Sequence, residues 1–244
     1  MTPVLELNDI TLNYPKSQSL FTIIKRNILH LLGKKTITPH YKGLDEVNLT
    51  INRGEVIGVI GRNGSSKSTL LKVMAGIFTP DAGNVSINGD ISLLSGVGLG
   101  MNKHLTGREN IHLYGSILGH SKDTMDSLTD EIIEFSELHD FIDEPLRTYS
   151  SGMKARLGIS VATAVKPDIL LIDEVLGVGD PGFKKKSQSK IRKMMDDSNT
   201  VVIVSHSFGL LKEICDRMIM MEKGRIRIIG SPDEVIAKYK EIEG

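Results

Sequence analysis

Residues 61–69 read Gly-Arg-Asn-Gly-Ser-Ser-Lys-Ser-Thr. The run before them, EVIGVI at 55–60, is short and apolar, as expected of a strand buried on both faces. The run that starts at Ser68, STLLKVMAG, reads as a helix ended by Gly76. A glycine-bearing loop in that setting suits the binding of phosphate. The N–H groups along Gly61, Arg62, Asn63, Gly64, Ser65 and Ser66 converge with the helix N-terminus into an anion cradle. Lys67 would reach the β- and γ-phosphates of a nucleotide. The Ser68 hydroxyl, next to Thr69, would ligate Mg²⁺.

A second constellation lies downstream. Residues 169–174 read Ile-Leu-Leu-Ile-Asp-Glu, an apolar strand ending in two carboxylates. Asp173, at the strand's C-terminal end, is placed to hold hydrated Mg²⁺, and Glu174 to polarise an attacking water. Between the two constellations lies Tyr149-Ser150-Ser151-Gly152-Met153, ahead of a helix-like stretch. Ser150 and the Gly152 N–H would form a second anion site at that helix N-terminus. His206 follows the apolar run VVIV at 201–204. Each feature alone has an ordinary alternative: a Gly/Ser turn, solvated acids, an N-cap, a surface histidine.

The loop resembles the P-loop pattern G-x-x-x-x-G-K-[ST], with Ser66 where the glycine before the lysine is usual. If the backbone there needs positive φ, a serine costs about 1–2 kcal/mol. The order of Gly-rich loop, Ser-Ser-Gly loop, Asp-Glu strand and histidine resembles the layout of an ABC ATPase, over essentially the whole chain. YSSGM stands where that family has its signature, Gly179-Asp180 resembles the D-loop, and His206 the switch histidine. The stretches LTGREN at 105–110, EFSEL at 134–138, YSSGMKARLG at 149–158 and IDEVLGVGD at 172–180 narrow the resemblance. They point to ATP-binding subunits of bacterial exporters of O-antigen, capsule or teichoic acid.

The resemblance implies an α/β fold of one nucleotide-binding domain over 1–244. A P-loop core with a mostly parallel sheet would span 1–95 and 166–244, with an N-terminal antiparallel β subdomain. A helical subdomain carrying the signature would span 96–165. It implies a homodimer, head to tail, that holds two ATP with Mg²⁺ between the P-loop of one copy and the signature of the other. His206 would bond the γ-phosphate. An integral membrane permease would be the partner and would carry a lipid-linked glycan, with this chain peripheral on the cytoplasmic face. Adenine would stack on Tyr14, with Tyr41 as the rival. Two further departures stand out. The only glutamines are Gln18 and Gln188, so the glycine-rich stretch 95–102, where the family's sensing glutamine is usual, has none. Ser151 replaces a signature glycine. The C-terminal carbohydrate-binding domain of long members is not expected.

The elements that must position these residues are legible in outline. VLELNDITL at 4–12 and VNLTI at 47–51 alternate as half-buried strands. ILLID, VVIV and MIMM at 218–221 read as buried strands separated by helices, and the stretch 105–165 as mostly helical. From Lys16 to Lys42 there are six Lys/Arg and no acid. Leu20, Ile24, Ile28 and Leu31 there share one helical face, so Ser19–Lys35 is expected as a basic amphipathic helix, packed on its own domain or resting at a membrane.

The composition of the 244 residues sets outer bounds. Hydrophobic residues make up 40% and charged residues 25%, which is globular. Thirty Lys+Arg balance thirty Asp+Glu, so no nucleic-acid partner is expected. That argues against the alternative of a soluble ABC-type ATPase of DNA repair or translation. A small-molecule P-loop kinase would need neither YSSGM nor His206. Gly96, Gly98 and Gly100 lack the spacing of a dinucleotide fingerprint. The single Cys215 excludes an intrachain disulfide and is expected to pack as a small hydrophobe. No run of about 18 apolar residues occurs and the first residues include acids, so neither a membrane span nor a signal peptide is expected.

Overall fold

The computed structural model describes residues 2–15, 40–95, 98, 100–173, 181–198 and 200–243. The basic segment at 19–35, Glu174 and the Gly179-Asp180 pair fall outside the described residues.

The chain opens with β1 (Pro3–Pro15), β2 (His40–Asn52) and β3 (Val56–Ile60). The glycine-bearing loop leads to α1 (Lys67–Met74), then β4 (Ala82–Ile87) and β5 (Ile91–Leu94). Three helices follow: α2 (Gly107–Ile117), α3 (Lys122–Ser136) and α4 (Ser151–Ala162). The rest alternates as β6 (Ile169–Asp173), α5 (Pro181–Asp197), β7 (Thr200–Val204), α6 (Phe208–Ile214), β8 (Arg217–Glu222), β9 (Arg225–Gly230) and α7 (Pro232–Glu243).

Two sheets result. One is antiparallel, in the order β2-β1-β4. The other has six strands in the order β5-β6-β7-β3-β8-β9, parallel except for the β8–β9 pair. This agrees with the α/β expectation. The central runs β3, β6 and β7 are apolar nearly throughout because both faces of the larger sheet are covered there. On β6, Ile169 and Leu171 join one apolar layer with Leu5, Leu49, Leu70 and Leu71. Leu170 and Ile172 join the other, with Ile111, Leu157 and Met218. Side chains alternate across the strand, so one five-residue run ties the antiparallel sheet and α1 to the helices on the far side.

The helices between β5 and β6 are set by their caps. Thr106 and Glu109 form a reciprocal capping box on α2, and Ser121 accepts from the Thr124 N–H at the start of α3. Glu137, in a left-handed turn after α3, pairs with Arg156 of α4 and Lys186 of α5, both at 2.8 Å. Strand β9 is missing from the sequence reading: its alternation Arg-Ile-Arg-Ile carries charge on one face, and the antiparallel pairing with β8 supplies its partner. Cys215 packs as expected. It ends α6, and burial pushes its thiol up to about 12.

Candidate functional site

The phosphate-loop geometry begins with Ser66. Its φ is 80° and ψ 24°, the left-handed conformation that the departure from glycine put at issue. The side chain makes no capping bond there, so the strain of a Cβ is not offset locally. The left-handed turn aims the chain into α1, whose first residue is Lys67. The Lys67 ammonium donates to the carbonyls of Gly61 at 2.7 Å and Arg62 at 3.0 Å, which folds it across the loop. Gly61 has φ 151°, and a Cβ built on it would lie 2.3 Å from the Met221 carbonyl oxygen. The loop is thus pressed against the end of β8, where only glycine fits. The buried Ser65 hydroxyl has no hydrogen-bond partner among the described residues.

A cavity of about 310 Å³ opens beside the loop. It brings together Asn63, Gly64, Ser66, Lys67, Ser68 and Thr69 with Asp173, Tyr14 and Tyr41. Gly61, Arg62 and Ser65 belong to the same loop but not to this wall. Loop, metal-type carboxylate and aromatic rings, read separately along the sequence, therefore converge on one space. Tyr14 is braced: its hydroxyl lies 3.1 Å from Thr69 Oγ1, its ring meets Phe78 edge-on at 6.1 Å, and Gly43 leaves room for its ring. A Cβ on Gly43 would come within 2.6 Å of that ring. Tyr41 is 48% exposed and its hydroxyl donates to the Gly64 carbonyl at 3.4 Å.

Asp173 ends β6 beside this cavity. The Ser95 hydroxyl donates to its Oδ2 at 3.3 Å. Ser68 and Asp173 are hard oxygen donors of the kind Mg²⁺ takes. No group of three or more His, Cys, Asp or Glu side chains forms a metal cage among the described residues. One carboxylate and one hydroxyl beside a phosphate cradle fit an ion that shares its coordination with substrate phosphates.

The Ser-Ser-Gly loop sits apart. Ser150 is the N-cap of α4 and accepts from the Met153 N–H at 3.1 Å, which leaves Ser151 and Gly152 in the first turn. Tyr149 anchors the loop: the buried ring donates its hydroxyl to the Phe141 carbonyl at 2.6 Å. Burial, together with the nearby carboxylates of Asp143 and Glu144, pushes that phenol up to about 12. Ser151 lines a different cavity, of about 430 Å³, with Gly98, Met101, Lys103, Leu146 and Lys154. One chain therefore does not place Ser150, Ser151 and Gly152 on the wall that holds Lys67. His206 stands exposed in the loop between β7 and α6, also off that wall.

Sequence reasoning missed Ser95. Its type gives no signal, because a serine after an apolar run is ordinary. Only the placement of β5 next to β6 reveals it.

Comparison with known proteins adds a family and close relatives. Residues 44–177 match the model of the ABC transporter family. An O-antigen export system ATP-binding protein, RfbB, of Klebsiella pneumoniae is 40% identical over 99% of both chains. An RfbB of Myxococcus xanthus is 50% identical over 80% of this chain, but the match spans only 45% of that protein. A teichoic acids export ATP-binding protein, TagH, of Enterococcus faecalis is 41% identical over 92% of this chain and 48% of its own length. Among solved structures, an ATP-binding subunit of an ABC transporter superposes with a TM-score of 0.69 at 20% identity, covering 97% of this chain and 93% of that one.

Proposed function

Because the chain belongs to the ABC transporter family, we propose that it is the ATP-hydrolysing subunit that powers export of a lipid-linked polysaccharide through a partner permease. The observation that carries this reading is the single cavity that joins Lys67, Ser68, Asp173 and the two tyrosines. The named relatives in O-antigen and teichoic acid export support the glycan class. Among the described residues no helix is long and apolar enough to cross a membrane. The place of the subunit in this reading, peripheral on the cytoplasmic face, rests on the relatives in export systems.

In this reading the loop N–H groups from Gly61 to Ser66, Arg62 and Asn63 included, receive the phosphates of ATP, and Lys67 exchanges its bonds to the loop carbonyls for phosphate oxygens. Mg²⁺, when bound, offsets the phosphate charge. Ser68 and Asp173 would hold it. Glu174, which follows Asp173 directly, polarises the attacking water, and His206 orients it against the γ-phosphate. Tyr14 and Tyr41 form the wall for adenine. Ser150, Ser151 and Gly152 act on the nucleotide of the second copy. Their separation from Lys67 within one chain is what a head-to-tail dimer would close. ATP is then the adhesive of the dimer, and hydrolysis releases it. The core at 1–95 and 166–244 carries the phosphate site, and the helical unit at 96–165 carries the signature.

The test is co-expression with candidate integral membrane permeases from the same cell. The expected result is a complex that hydrolyses ATP and exports glycan, and that loses both activities in Lys67→Ala while still assembling. Failure to co-purify with any membrane permease would overturn the transport reading.

A further inference from the structure

We propose that Ser95 is a positioning residue for Asp173, fixing the carboxylate that would hold the divalent ion. The inference rests on the nucleotide reading of the site. It concerns a stretch, 95–102, that contains no glutamine.

The observation is one of register. Strands β5 and β6 run parallel and in step, Ile91 beside Ile169 through to Leu94 beside Ile172, with no bulge. The next residues in each strand direction are Ser95 and Asp173. The sheet therefore delivers a hydroxyl to the flank of the carboxylate without any special loop geometry. On the other side Asp173 pairs with Val204 of β7, which is apolar. Among the described residues Ser95 is the one side chain that hydrogen-bonds to Asp173, at 3.3 Å to Oδ2. That distance is longer than the roughly 2.5–3.0 Å of a usual hydroxyl–carboxylate bond, so the contact as it stands is a weak one. The donation engages Oδ2 and leaves Oδ1 without a side-chain donor among the described residues, beside the cavity that Asp173 shares with Ser68 and Lys67.

A carboxylate that binds a metal ion is held by such a partner in most sites, and loss of the partner costs roughly 10–100-fold in metal affinity. A neutral hydroxyl at this distance belongs at the lower end, so the expected loss is about tenfold. The role is orientation. Ser95 removes no proton from water and contacts no reacting atom in this proposal.

The experiment uses the full chain with Ser95→Ala, Ser95→Cys and Ser95→Thr, and Asp173→Asn as reference. Mn²⁺ affinity is measured by electron paramagnetic resonance with ADP present, alongside ADP affinity in chelator and the Mg²⁺ concentration for half-maximal ATP hydrolysis. Ser95→Ala and Ser95→Cys should weaken Mn²⁺ about tenfold and raise the Mg²⁺ requirement in parallel, with metal-free ADP binding unchanged. Ser95→Thr, which keeps the hydroxyl, should restore wild-type values. If Ser95→Ala and Ser95→Cys both bind Mn²⁺ within twofold of wild type while Asp173→Asn loses it, Ser95 does not position the carboxylate. If Asp173→Asn itself binds Mn²⁺ normally, the assignment of the metal site fails and takes this proposal with it.

Discussion

Tyr14 and Tyr41 stand directly opposite each other in the antiparallel pairing of β1 and β2, and both line the cavity beside the phosphate loop. Their freedom differs. Tyr14 is tied to Thr69 and Phe78, whereas Tyr41 is about half exposed. Stacking of a base on an aromatic ring is worth about 1–3 kcal/mol. Tyr41→Ala should therefore weaken nucleotide binding by about fivefold or more with little change in Tm, since the ring supports no core contact. Tyr14→Ala should lower both affinity and Tm. Calorimetric binding and thermal unfolding of the two variants check this. Unchanged affinity in Tyr41→Ala would leave Tyr14 as the only stacking ring.

Ser66 should be improvable. Its left-handed backbone carries a Cβ strain of about 1–2 kcal/mol, partly offset in a glycine variant by the greater entropy of the unfolded chain. Ser66→Gly should therefore raise Tm by about 2–4 °C, with ATP affinity unchanged or tighter. A clear loss of affinity would identify the Ser66 hydroxyl as a ligand.

His120 makes stability depend on pH. Burial lowers its pKa from 6.5, against the opposing pull of the Asp90 carboxylate, and its Nε2 is buried without a partner among the described residues. The folded state thus binds a proton less readily than the unfolded chain. The stability this represents is present above about pH 6.5 and is lost as pH falls through the lowered folded value. Thermal unfolding between about pH 5 and 7 should show wild type losing Tm more steeply than His120→Gln. Parallel curves would remove His120 from the explanation.

The basic segment offers a separate test, founded on sequence alone. A helix whose charges are all positive suits an anionic lipid surface, where each Lys or Arg is worth about 1 kcal/mol. Replacing Lys25, Arg26, Lys34 and Lys35 by Gln should weaken assembly with the permease or export, while ATP hydrolysis by the isolated subunit is spared. Unfolding of the domain, or undiminished export, would place the segment in the core.

Much of this architecture was legible in the residues, for reasons that are local. An apolar run, a glycine-bearing loop and Lys67 are contiguous, so strand, cradle and helix follow from one another in sequence. Asp173 ends its apolar run in the same way. Ser66 could be singled out because only one residue type fits its backbone without strain. What stayed hidden depends on which strands become neighbours. Ser95 and Asp173 are 78 positions apart and meet only because β5 lies beside β6. The pairing of Tyr14 with Tyr41 depends likewise on the β1–β2 register. Strand β9 was missed because charged and apolar residues alternate over only six positions, too few to stand out before β8 is known to pair with it.

Phosphate release from MgATP, compared between the wild-type chain and Glu174→Gln, is the most direct test that this site hydrolyses ATP. The amide keeps the shape of the carboxylate but cannot act as a base. Loss of a general base typically removes about 10²–10⁴-fold in rate. The expected result is steady turnover by the wild type, with intact nucleotide binding and nearly abolished release in the variant. Turnover by Glu174→Gln above about a tenth of the wild-type rate would contradict the mechanism, because the carboxylate beside Asp173 would then not be the group that activates water.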